Sequence, residues 1–210
     1  MVPCGTTMEI LLTDHRLRLM EGMAAAVNEK GYAATTIADI VRHSRVSKRT
    51  FYQHFADREA CFLACYAEGA ELTLRAVAEA AGRGGTLPQR VAAATRAYLA
   101  TLQARPALTR TLLAEVHAAG PRALALRRAV LERFARLLRD LVEAGRREHS
   151  AALRELTPEL STALVGGINE LVLATVEQGG AERLDQLEEP IAELVGSVLR
   201  RGRLPSTAAG

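Results

Sequence analysis

The sequence predicts an all-α fold of about nine helices, and three observations carry that expectation. Alanine, leucine and arginine dominate a chain that is 49% apolar and only 4% aromatic, with no Trp, a composition of strong helix formers. Runs rich in Val, Ile, Thr and Tyr, which favour strands, are scarce. Apolar side chains recur at i, i+3 and i+4 along most of the chain, punctuated by Gly and Pro. With 210 residues there is enough chain for one sizeable core, or for a small domain joined to a larger one.

Residues 1–12 read as a flexible N-terminal tail. Thr13 or Asp14 can then cap a first helix that runs to about Lys30, with Leu17, Met20, Ala24 and Val27 on one stripe and Gly31 as its C-cap. Arg16 and Arg18 lie near its start, where helix dipole and charge together suit a phosphate backbone. Tyr32 is expected to pack back onto this helix and the next two.

Residues 35–55, TTIADIVRHSRVSKRTFYQHF, are the most informative stretch. Thr36 followed by Asp39 is a capping-box signature, with the carboxylate at the positive end of the helix dipole. Ile37, Ile40 and Val41 give this second helix one buried face. Ser44, Arg45 and Val46 break the periodicity, and Ser47 caps a third, short helix in which Phe51 and Phe55 share an inward face. Lys48, Arg49, Thr50, Tyr52, Gln53 and His54 are left facing outward. From Arg42 to His54 there are four Lys or Arg, two His and no acid. A short helix presenting cations, hydrogen-bonding groups and a phenol suits a DNA major groove.

This stretch resembles the DNA-binding signature of the TetR family of transcriptional regulators, roughly T-x-x-D-I-x-x-x-A-G-V-S-x-x-T-F-Y-x-H-F. The matching residues are Thr36, Asp39, Ile40, Val46, Ser47, Thr50, Phe51, Tyr52, His54 and Phe55, and Arg58-Glu59 follows where the family often has Lys-Glu. Arg45 stands where the family usually has Gly, so a positive φ there would cost about 1 kcal/mol. Residue chemistry divides the roles. Arg49 and Lys48 are candidates for base edges, Arg suiting guanine O6 and N7, and Gln53 suits adenine. Thr36, Ser47, Thr50, Tyr52 and His54 are phosphate candidates, joined by Arg45 and Arg58.

Asp57 caps a long helix over residues 57–81, which carries Phe62, Tyr66 and the Cys61/Cys65 pair. In the family this helix links the DNA-reading unit (here residues 13–56) to the regulatory unit, so the resemblance implies that it transmits the signal. Gly82 to Gly85 is a connector, with neither the preceding strand nor the Gly-Lys-Ser/Thr of a phosphate loop.

A C-terminal bundle over residues 86–202 follows. Val91, Thr95, Tyr98 and Leu102 line its first helix, from Pro88. Pro106 opens a short helix with Leu108, Leu112, Leu113 and Val116. After Gly120-Pro121 a long helix repeats Val130/Leu131, Phe134, Leu137/Leu138 and Leu141/Val142. Thr157-Pro158 starts the next, with Leu160, Leu164, Ile168, Leu171, Val172 and Val176, ended by Gly179-Gly180. The last carries Leu187, Ile191, Leu194/Val195 and Val198/Leu199, and residues 203–210 read as a tail. The last two faces can be buried within one bundle. The resemblance implies instead that they pair with their counterparts in a homodimer, whose two recognition helices read a near-palindromic operator. It also implies a small-molecule effector pocket in this bundle, for which Tyr98, Glu115, His117, Asn169 and Glu170 are the polar candidates.

Other classes find little support. The net charge of +3 only weakly favours an anionic partner. Three cysteines form no C-x-x-C pair, and Cys61 and Cys65 read as buried small residues rather than a strained disulfide within one helix. The five histidines, His15, His43, His54, His117 and His149, show no metal-ligand spacing. No cofactor motif and no catalytic layout appear, so neither a cofactor nor an enzyme is expected. No signal peptide and no apolar run of ~18 residues is evident, which points to the cytoplasm. The expected function is a ligand-released DNA-binding repressor. The alternative is a helical interaction protein using its basic face on an acidic protein, against which steep salt dependence with a duplex-sequence preference would speak.

Overall fold

The structure is a computed structural model that describes residues 5–149 and 154–200, with side chains over 14–148 and 154–200. Among the described residues there are nine α-helices, two short 3-10 turns and no strand. Helix α1 spans Gly5–Ala34, with a break at Gly31 (φ 77°, ψ 160°) that turns the last residues out of line. Its start corrects the cap expected at Thr13 or Asp14 and, over residues 5–12, the expected tail 1–12, whose residues 1–4 lie outside the described residues. No Gly or Pro occurs between residues 6 and 21, so nothing in the backbone stops the helix from reaching Gly5. The other expected tail, residues 203–210, lies outside the described residues.

Helices α2 (Ile37–Ser44) and α3 (Lys48–His54) form with the caps that the sequence signals. The Thr36 N–H donates to Asp39 Oδ2 at 2.8 Å, and the Asp39 N–H to Thr36 Oγ1 at 3.3 Å. Ser47 Oγ accepts from the Thr50 N–H at 3.0 Å. Between the helices Arg45 adopts the left-handed conformation (φ 53°, ψ 38°), the one non-glycine residue with positive φ among those described. Two hydrogen bonds steady the turn: Arg18 Nη2 donates to the carbonyls of Ser44 (2.9 Å) and Arg45 (3.2 Å). Arg45→Gly should raise stability to urea unfolding by about 0.5–1 kcal/mol, since relief of the left-handed strain exceeds the extra backbone entropy that glycine loses.

Phe51, Phe55, Ile40, Leu19, Met23 and Phe62 meet in a first core, and the Tyr32 ring packs edge-on against Phe62 with centroids 4.9 Å apart. Helix α1 crosses α2 at Gly22, where a Cβ would stand 2.7 Å from the Ile40 carbonyl oxygen and 2.9 Å from Ser44 Cβ. Only glycine fits that approach.

Helix α4 (Arg58–Ala81), capped by Asp57 Oδ1 on the Ala60 N–H at 2.7 Å, serves two cores. Cys61, Phe62, Cys65 and Tyr66 belong to the first, and Val77 and Ala81 to a second. Helix α5 (Leu87–Gln103) folds back along α4 after positive-φ residues Gly84 and Gly85, its start fixed by a Thr86/Gln89 capping box. Helix α6 (Pro106–Ala114) runs into a 3-10 turn, Glu115–His117, and α7 (Pro121–His149) returns past both cores. Helix α8 (Pro158–Glu177), capped by Thr157, and α9 (Glu188–Leu199) complete the second core with Leu164, Val172, Ile191 and Val195. Helix α8 is the one described helix long and apolar enough to cross a membrane, although polar residues interrupt it so that no continuous apolar run of that length occurs; here Leu164, Val172 and Val176 are buried in protein.

Candidate nucleic-acid interface and internal cavity

The turn between α2 and α3 and the outer face of α3 form one exposed surface. Thr36, Arg45, Ser47, Lys48, Arg49, Tyr52 and Gln53 are exposed there, Tyr52 by 52%, and Thr50 is half-buried. The two inward phenylalanines on α3 fix this orientation, because Phe51 and Phe55 fill the first core. Charge pairing separates the cations around it. Lys30 holds Asp39 at 2.6 Å, Arg42 holds Glu29 at 3.0 Å, and Arg16 holds Glu68 at 3.3 Å. Arg45, Lys48 and Arg49 have no acidic partner among the described residues. An exposed row of uncompensated cations, flanked by hydroxyls, a phenol and a carboxamide, is a surface for a polyanion.

Four basic residues expected to face a phosphate backbone are placed otherwise. Arg58 turns its guanidinium inward: Nη1 donates to the carbonyls of Tyr32 (3.0 Å), Ala33 (3.3 Å) and Thr35, and Cζ sits 4.3 Å above the Tyr32 ring. Arg18 is committed to the α2–α3 turn, and Arg16 to Glu68 and to the face of the Phe55 ring at 5.6 Å. His54 is half-buried, and its Nε2 is buried without a partner among the described residues. Burial, then the neighbouring His15 and Arg16, lower its pKa and so favour the neutral ring. These four shape the surface from behind.

The junction of α1 with α2 responds to acid. The Lys30 ammonium, then the hydroxyl and N–H of Thr36, hold the Asp39 carboxyl well below the usual carboxylate range. A depressed pKa stabilises the fold above the unfolded value of about 4. That contribution is lost as pH falls through the folded value. Thermal denaturation should therefore show stability dropping below about pH 4, and Asp39→Asn should flatten that part of the profile.

Behind this unit, helices α4 to α9 enclose a cavity of about 150 Å³. The apolar faces seen in the sequence line it, among them Val91, Thr95, Tyr98 and Leu102 of α5 and Leu112 and Leu113 of α6. Two of the five polar candidates are there, Tyr98 and Asn169. Glu115, His117 and Glu170 are not. Glu115 accepts from the Tyr32 N–H at 2.8 Å, while His117 and Glu170 are exposed, Glu170 because one helical step from Asn169 turns it about 100° away. Tyr66 also lines the cavity, its hydroxyl pushed up to about 12 by burial. A polar residue on the apolar face of α4, seven before Thr73, was the available signal for it.

Residues 19–65 match the family model for bacterial regulatory proteins of the tetR family. The N-terminal domain belongs to the TetR family. The whole TetR-like fold recurs in solved structures. The fatty acid degradation regulator FadR from Bacillus halodurans superposes with a TM-score of 0.76 at 18% identity, covering 87% of this chain and 98% of that one. FadR from Bacillus subtilis, in complex with stearoyl-CoA, gives 0.76 at 15% identity over 88% and 99%. GusR of Salmonella enterica gives 0.71 at 20% identity over 88% and 95%. At these identities the likeness is one of fold. No curated protein matches the chain.

In this chain α6 connects cavity and surface. Leu112 and Leu113 line the cavity, while Thr111 Oγ1 donates to the Ala24 carbonyl at 3.1 Å and Glu115 takes the Tyr32 N–H. Glu115→Ala leaves that part-buried N–H unpaired and should cost about 1.5 kcal/mol in urea denaturation. Cys61 and Cys65 stand beside this joint, buried, with Sγ atoms 3.8 Å and 3.6 Å from the Leu19 and Met20 carbonyls. Burial raises both thiol pKa values, that of Cys65 to about 12, so neither is a thiolate at neutral pH.

Proposed function

We propose that the protein is a homodimeric transcriptional repressor, working in the cytoplasm, that binds a near-palindromic operator and leaves it when a small molecule fills the cavity. The observation that carries this reading is the unpaired row of Arg45 in the α2–α3 turn with Lys48 and Arg49 on the seven-residue α3, beside Tyr52 and Gln53. A seven-residue helix reaches few base pairs, so useful specificity needs two copies at a fixed spacing. Helix α8 supports pairing, since it leaves Ala163, Gly167 and Leu171 exposed, Leu171 by 40%. Release follows from differential affinity: a ligand that fits better when α6 has shifted favours the conformation in which the two DNA units are wrongly spaced. Such couplings are typically ~1–3 kcal/mol.

Footprinting around the protein's own promoter tests the reading. Wild type should protect a near-palindrome, and Arg49→Ala/Tyr52→Ala should not, while native mass measurement still finds a dimer. Uniform binding to all duplexes, or a monomer that protects DNA as well, would refute it.

A further inference from the structure

The cavity carries no charge on its walls. None of its lining residues is Asp, Glu, Lys, Arg or His. An ion entering it would lose its hydration without gaining a counter-ion, which costs several kcal/mol even after relaxation. Arg127 acts electrostatically on Tyr66 and Tyr98 but does not line the space.

Polar groups in the wall divide into two sets. The Thr73 and Thr109 hydroxyls are spent on backbone carbonyls, Gly69 at 2.8 Å and Leu102 at 2.7 Å. Asn169 is different: it is 6% exposed, and its carboxamide makes no hydrogen bond among the described residues. The Thr95, Tyr66 and Tyr98 hydroxyls likewise have no hydrogen-bond partner among them. A buried carboxamide offers two donors and an acceptor, and leaving them unmade is unfavourable. A ligand with a hydroxyl, carbonyl or ring N–H would satisfy it.

Size sets the last limit. Cavities of about 150 Å³ hold benzene, so a ligand here has roughly six to ten non-hydrogen atoms. We infer that the effector is a compact, uncharged, mostly apolar molecule of the phenol, indole or small cyclic alcohol kind, oriented by one hydrogen bond to Asn169 with the two tyrosine hydroxyls nearby. The inference rests on the reading of the cavity as the effector site. It separates this chain from a protein that takes a long acyl thioester.

The test is calorimetric titration of the full-length protein, without DNA, by para-cresol, indole, toluene, benzoate and stearoyl-CoA. Para-cresol and indole should bind, toluene about tenfold more weakly than para-cresol for want of a hydrogen bond, and benzoate at least a hundredfold more weakly. Asn169→Leu should lower para-cresol affinity about tenfold and leave toluene unharmed. Asn169→Ala, which only shortens the same side chain, serves if the first variant fails to fold and should again reduce para-cresol but not toluene. Benzoate or stearoyl-CoA binding as tightly as para-cresol, no binding of any neutral probe, or equal loss of para-cresol and toluene in the variants would overturn the inference. A gel shift on the operator complex reads the other question. Neutral probes that bind yet leave the complex intact uphold the ligand class and refute release.

Discussion

The Lys48→Ala/Arg49→Ala chain is expected to lose operator affinity by about 3–6 kcal/mol per dimer, or 10²- to 10⁴-fold, while its unfolding curve stays within about 0.5 kcal/mol of wild type. The size follows from four side chains per dimer at about 0.8–1.5 kcal/mol each, around the low end of the range for a good base contact. The unchanged stability follows from exposure, since neither side chain touches the first core or an acidic partner among the described residues. The single variants separate two roles. If Arg49 reads guanine, Arg49→Ala flattens the preference at one base pair in each half-site and leaves the salt dependence nearly unchanged. If it holds phosphate, all sequences weaken alike and the slope of log affinity on log salt falls by about one per contact. A selection from randomised half-sites, repeated at two salt concentrations, distinguishes them. An undiminished affinity in the double variant would remove α3 as the reading element.

The features legible in the sequence are those whose cause lies within one helical turn. Thr36 with Asp39, Ser47, Asp57 and Thr157 all cap through hydrogen bonds spanning three residues, and each forms as its spacing implies. Phe51 and Phe55 point inward because residues four apart share a face, and that alone turns Lys48, Arg49, Tyr52 and Gln53 outward. The apolar stripe Val91–Leu102 was visible, though not that it borders empty space, because periodicity reports a buried face and says nothing of how well opposite faces fill it. Long side chains were the illegible part. Arg18, Arg58 and Glu115 find backbone partners 26, 23 and 83 residues away, and a flexible charged side chain carries no local mark of such a partner. Gly22 is similar: its need for a bare Cα comes from the Ile40 carbonyl on another helix. Asn169 and Glu170, neighbours of similar polarity, could be told apart only once the rotation of α8 was known.

Arg58→Ala should destabilise the fold by about 3 kcal/mol, and in doing so it decides between two readings of one residue. As a phosphate ligand Arg58 would be dispensable to the free protein, and its loss would lower only the salt slope of DNA binding. Its geometry argues for the fold. One guanidinium nitrogen serves three carbonyls that end α1 and precede α2, and the guanidinium carbon sits 4.3 Å from the centre of the Tyr32 ring. Charge-assisted hydrogen bonds are worth about 1.5–3 kcal/mol, and a cation over a partly desolvated ring adds about 1 kcal/mol. Half-burial of Arg58 reduces both contributions, so the sum is held to about 3 kcal/mol. Arg58→Lys should recover less than half, because an ammonium has no planar face to set against the ring and is more strongly hydrated. Tyr32 lies at the same joint, its N–H held by Glu115, so a looser link between α1 and α2 should also weaken operator binding, with the salt slope preserved. Urea denaturation and a salt titration of DNA binding, run on both variants, give the answer: unchanged stability with a reduced slope would return Arg58 to the DNA surface.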